Sequence, residues 1–240
     1  MHKDDAHAGQ AIYSPFVLSL YDMGVLGLSC RWLWRCPSSV LLAHYQRHIS
    51  SNHLDVGVGS GFFLDKVRFP ASRPRVGLMD LNPNSLAYCA RRIARYQPEV
   101  LQRNVLEPVA YTGNRFDSLA MNLLLHCLPG SLFDKARALD NLLPMVNAGA
   151  RVFGATLLQE GVPRNIAARG AMRVYNRRGI FSNQDDSLAA LAQVLTRRLD
   201  QVDIQVEGCM GLLWAGKISH GLSLWCYPKN KKAPIGSLFI

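Results

Sequence analysis

The chain has no Cys-x-x-Cys pair, no histidine set with metal-ligand spacing, and no basic stripe interleaved with aromatic residues. Each absence removes a class of function. The six cysteines (Cys30, Cys36, Cys89, Cys127, Cys209, Cys226) lie mostly among apolar neighbours, the pattern of buried thiols in a reducing compartment rather than of a disulfide framework or a zinc site. The apolar run at 16–28 is too short to span a bilayer and contains Asp22, and the opening MHKDDAHAG lacks the positive region of a secretory leader. The expectation is a soluble cytoplasmic protein with no membrane attachment. A formal net charge of +10 would suit an anionic partner, but the basic residues fall in scattered clusters: Arg91, Arg92 and Arg95, then 164–178, then Arg197 and Arg198, then 229–232. These read as solvated helix faces and a basic tail, so nucleic acid is a disfavoured partner.

What is present is enough apolar material for one large core: 240 residues, 49 % of them hydrophobic, require no second domain. Apolar segments at 53–58, 75–80, 99–102, 116–124 and 150–158 read as strands. Between and around them, 38–49, 61–67, 84–96 and 132–143 read as helices, the first capped by Ser38 or Ser39 and the last ended by Pro144. Strands separated by helices imply crossover connections and a parallel, doubly wound sheet, whose ligands belong at the carboxyl ends of the strands. Residues 159–187 are polar and basic, with one helix at 165–175, and are too long for a simple connection. They read as a binding loop over the substrate side. A helix at 188–199 and strands at 202–207 and 210–215 follow, and then a basic tail over 217–240.

The stretch LDVGVGSG, 54–61, places Asp55 at the end of the first strand and Gly57, Gly59 and Gly61 on the turn into a helix. Glycines here bring bare backbone against a ligand. A dinucleotide site needs G-x-G-x-x-G, but the third position is Phe62, and Asp55 stands where that strand is normally apolar. A carboxylate there suits a cationic ligand instead. Asp80 closes the second strand, where an acid accepts both hydroxyls of a ribose; the same residue, ahead of Asn82-Pro83-Asn84, is also good turn and cap chemistry.

With VGLMDLNPNSLAYCARR (76–92), QRNVLEP (102–108) and FDSLAMNLLLHCLPG (116–130), the chain resembles the class I S-adenosylmethionine-dependent methyltransferases of the small-molecule type over about 38–215. The resemblance implies a Rossmann-like, mostly parallel seven-stranded sheet in a single α/β domain over 1–240, with N-terminal helices (1–37) as a lid on a cofactor-binding core (38–158). It implies S-adenosylmethionine as cofactor and S-adenosylhomocysteine as product. Asp55, Gly57, Gly59 and Gly61 would meet the methionine part, Asp80 and Leu81 the ribose and adenine, Asn104 and Val105 the adenine amino group, and Asn122 the sulfonium. Asn104 replaces an aspartate common in the family. The run after the fourth strand is NLLLH, without the Asn/Asp-Pro-Pro-Tyr/Phe grip of methyltransferases acting on nucleobases.

His126 stands where many relatives present a residue to the substrate and is the candidate general base; a packed histidine is the alternative. Tyr13, Tyr21, Trp32 and Trp34 concentrate aromatic surface ahead of the first strand. Tyr13 and Tyr21 are candidates for cation–π contact with the sulfonium, while Trp32 and Trp34 suit an interface with the sheet. Met172, Tyr175, Asn176 and Phe181 are candidate substrate contacts. The expected function is methyl transfer to a small, partly apolar metabolite at oxygen, by a monomer or homodimer. The alternatives are an RNA or protein methyltransferase, favoured by charge alone, and a non-catalytic cofactor-binding module.

Overall fold

The computed structural model describes residues 29–217. Seven strands form one sheet: β1 (Asn52–Val56), β2 (Arg75–Asp80), β3 (Glu99–Gln102), β4 (Phe116–Asn122), β5 (Val146–Leu157), β6 (Asp200–Glu207) and β7 (Met210–Lys217). Their order is β3-β2-β1-β4-β5-β7-β6. The first five are parallel, and β7 runs antiparallel between β5 and β6. The central strands are buried on both faces, as a parallel sheet covered by crossover helices requires. The edge strand β6 is largely exposed.

Six α-helices lie among the described residues: α1 (Ser38–His48), α2 (Phe62–Lys66), α3 (Pro83–Arg92), α4 (Leu132–Leu142), α5 (Ile166–Arg177) and α6 (Leu188–Thr196). Local chemistry sets their starts. Asn82 caps α3 with Pro83 in its first turn, Ser131 and Asp134 form a capping box on α4, and Asn165 and Ser187 cap α5 and α6. Two expectations change here. Pro37 rather than a serine stands ahead of α1, with no side-chain cap, and the cap before Pro83 is Asn82, to whose amide Asp80 only lends an acceptor.

Alternation along the strands separates two cores. Leu54, Val56, Met79, Leu119, Met121 and Val152 face α4 and α6. Leu78, Ala120 and Phe153 face α1 and α3 through Tyr45, Leu86 and Cys89. His53, Asp55, Ser118 and Asn122 share the second face by register.

Residues 29–36, expected within an N-terminal cap, pack into this body. Cys30, Trp34 and Cys36 are buried, and the Trp34 carbonyl accepts from the Cys209 amide at 2.8 Å. Trp32, expected at an interface, is 70 % exposed. Arg92 and Arg95, expected on a wet face, turn instead to Asp65 at 3.2 and 3.0 Å. Among the described residues no helix is long and apolar enough to cross a membrane.

Candidate functional site

Strand order reverses between β1 and β4: the chain steps outward through β2 and β3 on one side and through β5 on the other. A crevice opens where the following segments diverge, at the carboxyl ends of these two strands. Asp55, Gly57, Gly59, Gly61, Asp80, Leu81, Asn104, Val105 and Asn122 all line the cavity found there. Strand order sets Asp80, Asp55 and Asn122 at the carboxyl ends of three adjacent strands, Asp55 being opposite Leu78 and Ala120 in the register. Tyr13 and Tyr21 lie outside the described residues.

The three glycines have φ of +75, +51 and +73°, so each adopts the left-handed conformation that a side chain disfavours. Their reasons differ. A Cβ on Gly57 would lie 2.9 Å from Leu124, and one on Gly61 would lie 2.6 Å from the Cys89 sulfur. These two let the turn pack on its neighbours. At Gly59, which lines the cavity with the other two, a Cβ would meet nothing within 4 Å, so only here does open space stand where a side chain would be.

Burial, and after it the nearby Asp80 charge, pushes the Asp55 carboxyl up to about 7, against a hydrogen bond from Tyr45 that pulls it down. Burial also pushes Asp80 up, while the amides of Asn82, Gly59, Leu81 and Val58 pull the other way. Two carboxylates in one cavity, each short of compensation, favour a cation. Asn122 is 7 % exposed, and both its amide nitrogen and its amide oxygen are without a partner. Leu123, next in the chain, holds φ +57°, an uncommon conformation for a bulky residue at the edge of a site. The Asn104 oxygen accepts from the Leu106 amide at 3.0 Å, so its side chain shapes its own loop.

The remaining expected contacts are placed elsewhere. His126 does not line the cavity. Its ring packs on Phe181, with centroids 4.7 Å apart, and its Nδ1 lies 3.4 Å from Thr156 Oγ1. Burial, and then the charge of Lys135, push it down to about 3. Met172 is wholly buried, Tyr175 and Phe181 pack against Trp34, and Asn176 bonds Asn183. These four brace the insertion. Its neighbour Ile180 lines the cavity, with Phe62, Leu124, Leu128 and Pro129. Phe62 and Pro129 adjoin or fall within the quoted motifs; Ile180 carries no sequence signal.

The donor set fits S-adenosylmethionine. Asp55 and Asp80 match an ammonium and a ribose diol, the open space at Gly59 admits a chain running along the turn, and the Asn122 amide is unpaired in the same cavity. A family model described as a methyltransferase domain matches residues 54–152. Demethylluteothin O-methyltransferase of Streptomyces thioluteus is 39 % identical over 204 residues, covering 85 % of this chain and 89 % of that protein. The physcion biosynthesis cluster O-methyltransferase of Aspergillus chevalieri is 36 % identical over 83 % of this chain and 90 % of its own length. Among solved structures, DhpI bound to S-adenosylhomocysteine shares the fold, with a TM-score of 0.65 at 14 % identity over 90 % of this chain and 98 % of that one. Relatives that align along nearly their whole length, over a cavity built for the same cofactor, leave one assignment: the chain belongs to the class I S-adenosylmethionine-dependent methyltransferases.

Proposed function

We propose that the chain methylates a hydroxyl group of a small, largely apolar metabolite. The observation that carries this reading is the composition of this cavity: Asp80 and Asp55 at the tips of β2 and β1, and, after the neighbouring strand β4, the apolar run Leu123, Leu124, Leu128 and Pro129, joined by Ile180. The names of two relatives support it, since one is a demethylluteothin O-methyltransferase and the other an O-methyltransferase of the physcion biosynthesis cluster.

Bound S-adenosylmethionine supplies a methyl group activated by a sulfonium. Asp55 holds the ammonium, Asp80 the ribose hydroxyls, and Leu81, Asn104 and Val105 flank the adenine. Asn122 gives its unpaired amide to the acceptor side. The leucines and Ile180 exclude water and press the acceptor toward the methyl, and holding two reactants in line is worth about 7–11 kcal/mol in well-oriented models. A buried, neutral His126 is a poor proton acceptor, so the acceptor hydroxyl is one acidic enough to ionise without it, such as a phenol or enol. Incubation with isotopically labelled S-adenosylmethionine and a panel of phenols, enols, amines and thiols tests the reading by mass spectrometry. Gain of a labelled methyl by a phenol or enol is expected; transfer confined to amines or thiols overturns it.

A further inference from the structure

Behind the cavity, a buried run of polar side chains terminates on Asp55. His53 and Asp55 point to the face of β1 that α1 covers, and Ser118 stands opposite His53 in the register with β4. Tyr45, on the buried face of α1, comes down on them. Its hydroxyl donates to Asp55 Oδ2 at 2.7 Å and lies 2.7 Å from His53 Nε2, while His53 Nδ1 lies 2.8 Å from Ser118 Oγ. Tyr45, His53 and Ser118 are wholly buried, and none of the three lines the cavity. Three polar side chains between a helix and a sheet cost free energy that apolar residues of similar size would not.

One arrangement of hydrogens satisfies the run. Ser118 Oγ accepts from the Ser50 amide at 2.9 Å and lies 2.8 Å from the Ser50 hydroxyl; with that hydroxyl donating to Ser118, the Ser118 proton goes to His53 Nδ1. A neutral His53 then carries its proton on Nε2 and donates to Tyr45, whose own proton goes to Asp55. Every bond points toward the carboxylate, and bonds in such a series polarise one another. Protonation of Asp55 reverses the run: the acid donates to Tyr45, Tyr45 to His53 Nε2, and the imidazole proton moves to Nδ1, facing Ser118. The two states differ in the tautomer of His53.

We propose that Tyr45 and His53 are positioning residues for Asp55, forming a relay that holds its carboxylate ionised and fixed in the cavity for the ammonium group of the cofactor. The proposal rests on the reading of Asp55 as the ammonium's partner. The groups facing Asp55 are Tyr45 from α1, the Val56 amide beside it on β1, Asp80 from β2 and the Cys89 thiol from α3. Burial and Asp80 raise its pKa, Tyr45 and the Val56 amide lower it, and the thiol is itself pushed up by burial and stays protonated. His53, pushed down to about 3 by burial, stays neutral and passes polarity rather than charge. A cation bound by this carboxylate gains affinity as pH rises through the carboxyl's pKa, and the relay decides where that rise falls.

Tyr45→Phe keeps the ring stacked on Phe63, 5.3 Å away at 8°, and removes only the hydroxyl. The test is calorimetric titration of S-adenosylhomocysteine across pH. In the wild type affinity rises through neutrality; in Tyr45→Phe the rise moves up by about one pH unit, giving about fivefold weaker binding at about pH 7 and near wild-type binding at about pH 8.5. An unchanged profile, or a loss equal at every pH, overturns the proposal. Asp55→Asn separates the two layers: wild-type affinity in that variant overturns the assignment of Asp55 itself, whereas weak, pH-independent binding keeps it. If Tyr45→Phe does not fold, nitrogen NMR of wild-type His53 decides. The Nε2-protonated tautomer is expected with ligand bound and the Nδ1-protonated one in ligand-free protein at low pH; one tautomer throughout overturns the relay.

Discussion

Gly59 and Gly61 share one turn and one backbone conformation, yet substitution at each has a different consequence. In Gly59→Val the side chain enters open cavity, and the left-handed φ adds about 1–3 kcal/mol of local strain. The expected result is loss of S-adenosylhomocysteine binding with the fold retained, read by calorimetry beside circular dichroism. In Gly61→Ala the new Cβ meets the Cys89 sulfur, so stability falls by about 1–3 kcal/mol in thermal or denaturant melts. His126 gives a second expectation at this scale. Buried against Phe181, held neutral and not among the residues lining the cavity, it is expected to matter little to proton transfer, so His126→Gln lowers turnover by less than about tenfold with the acceptor found by mass spectrometry. A loss of 10² or more would restore it as the base.

A buried ion pair helps to dock the insertion. Lys135 on α4 donates to Asp186 Oδ2 and to the Ser182 carbonyl, both at 2.6 Å, and neither charged side chain is more than 1 % exposed. Asp186 Oδ1 is already without a partner. Lys135→Met therefore leaves a buried carboxylate uncompensated and costs about 3–5 kcal/mol, measured by denaturant unfolding, with faster proteolysis confined to residues 159–187. A double replacement with Asp186→Leu recovers most of that loss, because apolar partners of similar volume replace a buried pair at little cost. Docking matters to the site because Ile180, which lines the cavity, is carried by this segment.

For the molecule as a whole, the seven-stranded sheet and the crevice at its reversal point lie within the described residues, and 29–36 pack against them. A chain beginning at Ser29 keeps Cys30, Trp34 and Cys36 in place, and is expected to fold and to bind S-adenosylhomocysteine while losing turnover. A chain beginning at Pro37 removes the buried Trp34 and the carbonyl that holds the Cys209 amide. Loss of a buried aromatic costs about 3–5 kcal/mol, so this shorter chain melts far lower or aggregates. Circular dichroism melts and product titration on both chains check this; equal stability would return 29–36 to the lid.

By itself the sequence determined the element order, because strand and helix periodicities and cap residues act over a few positions. β2 and β3 fall where apolar runs place them, and α4 starts at its capping box. It also determined which residues meet at the cavity, since Asp55, the glycine turn, Asp80 and Asn122 sit at strand ends and a parallel sheet gathers strand ends on one edge. Only the tertiary structure decided what each does there. Two glycines of the turn answer to Leu124 and Cys89, which are distant in the chain. His126 was legible as a residue following β4 but not as one turned toward Thr156 and Phe181. Tyr45 and Ser118, 10 and 63 positions from Asp55, join it only through helix packing and strand register, which no local pattern encodes.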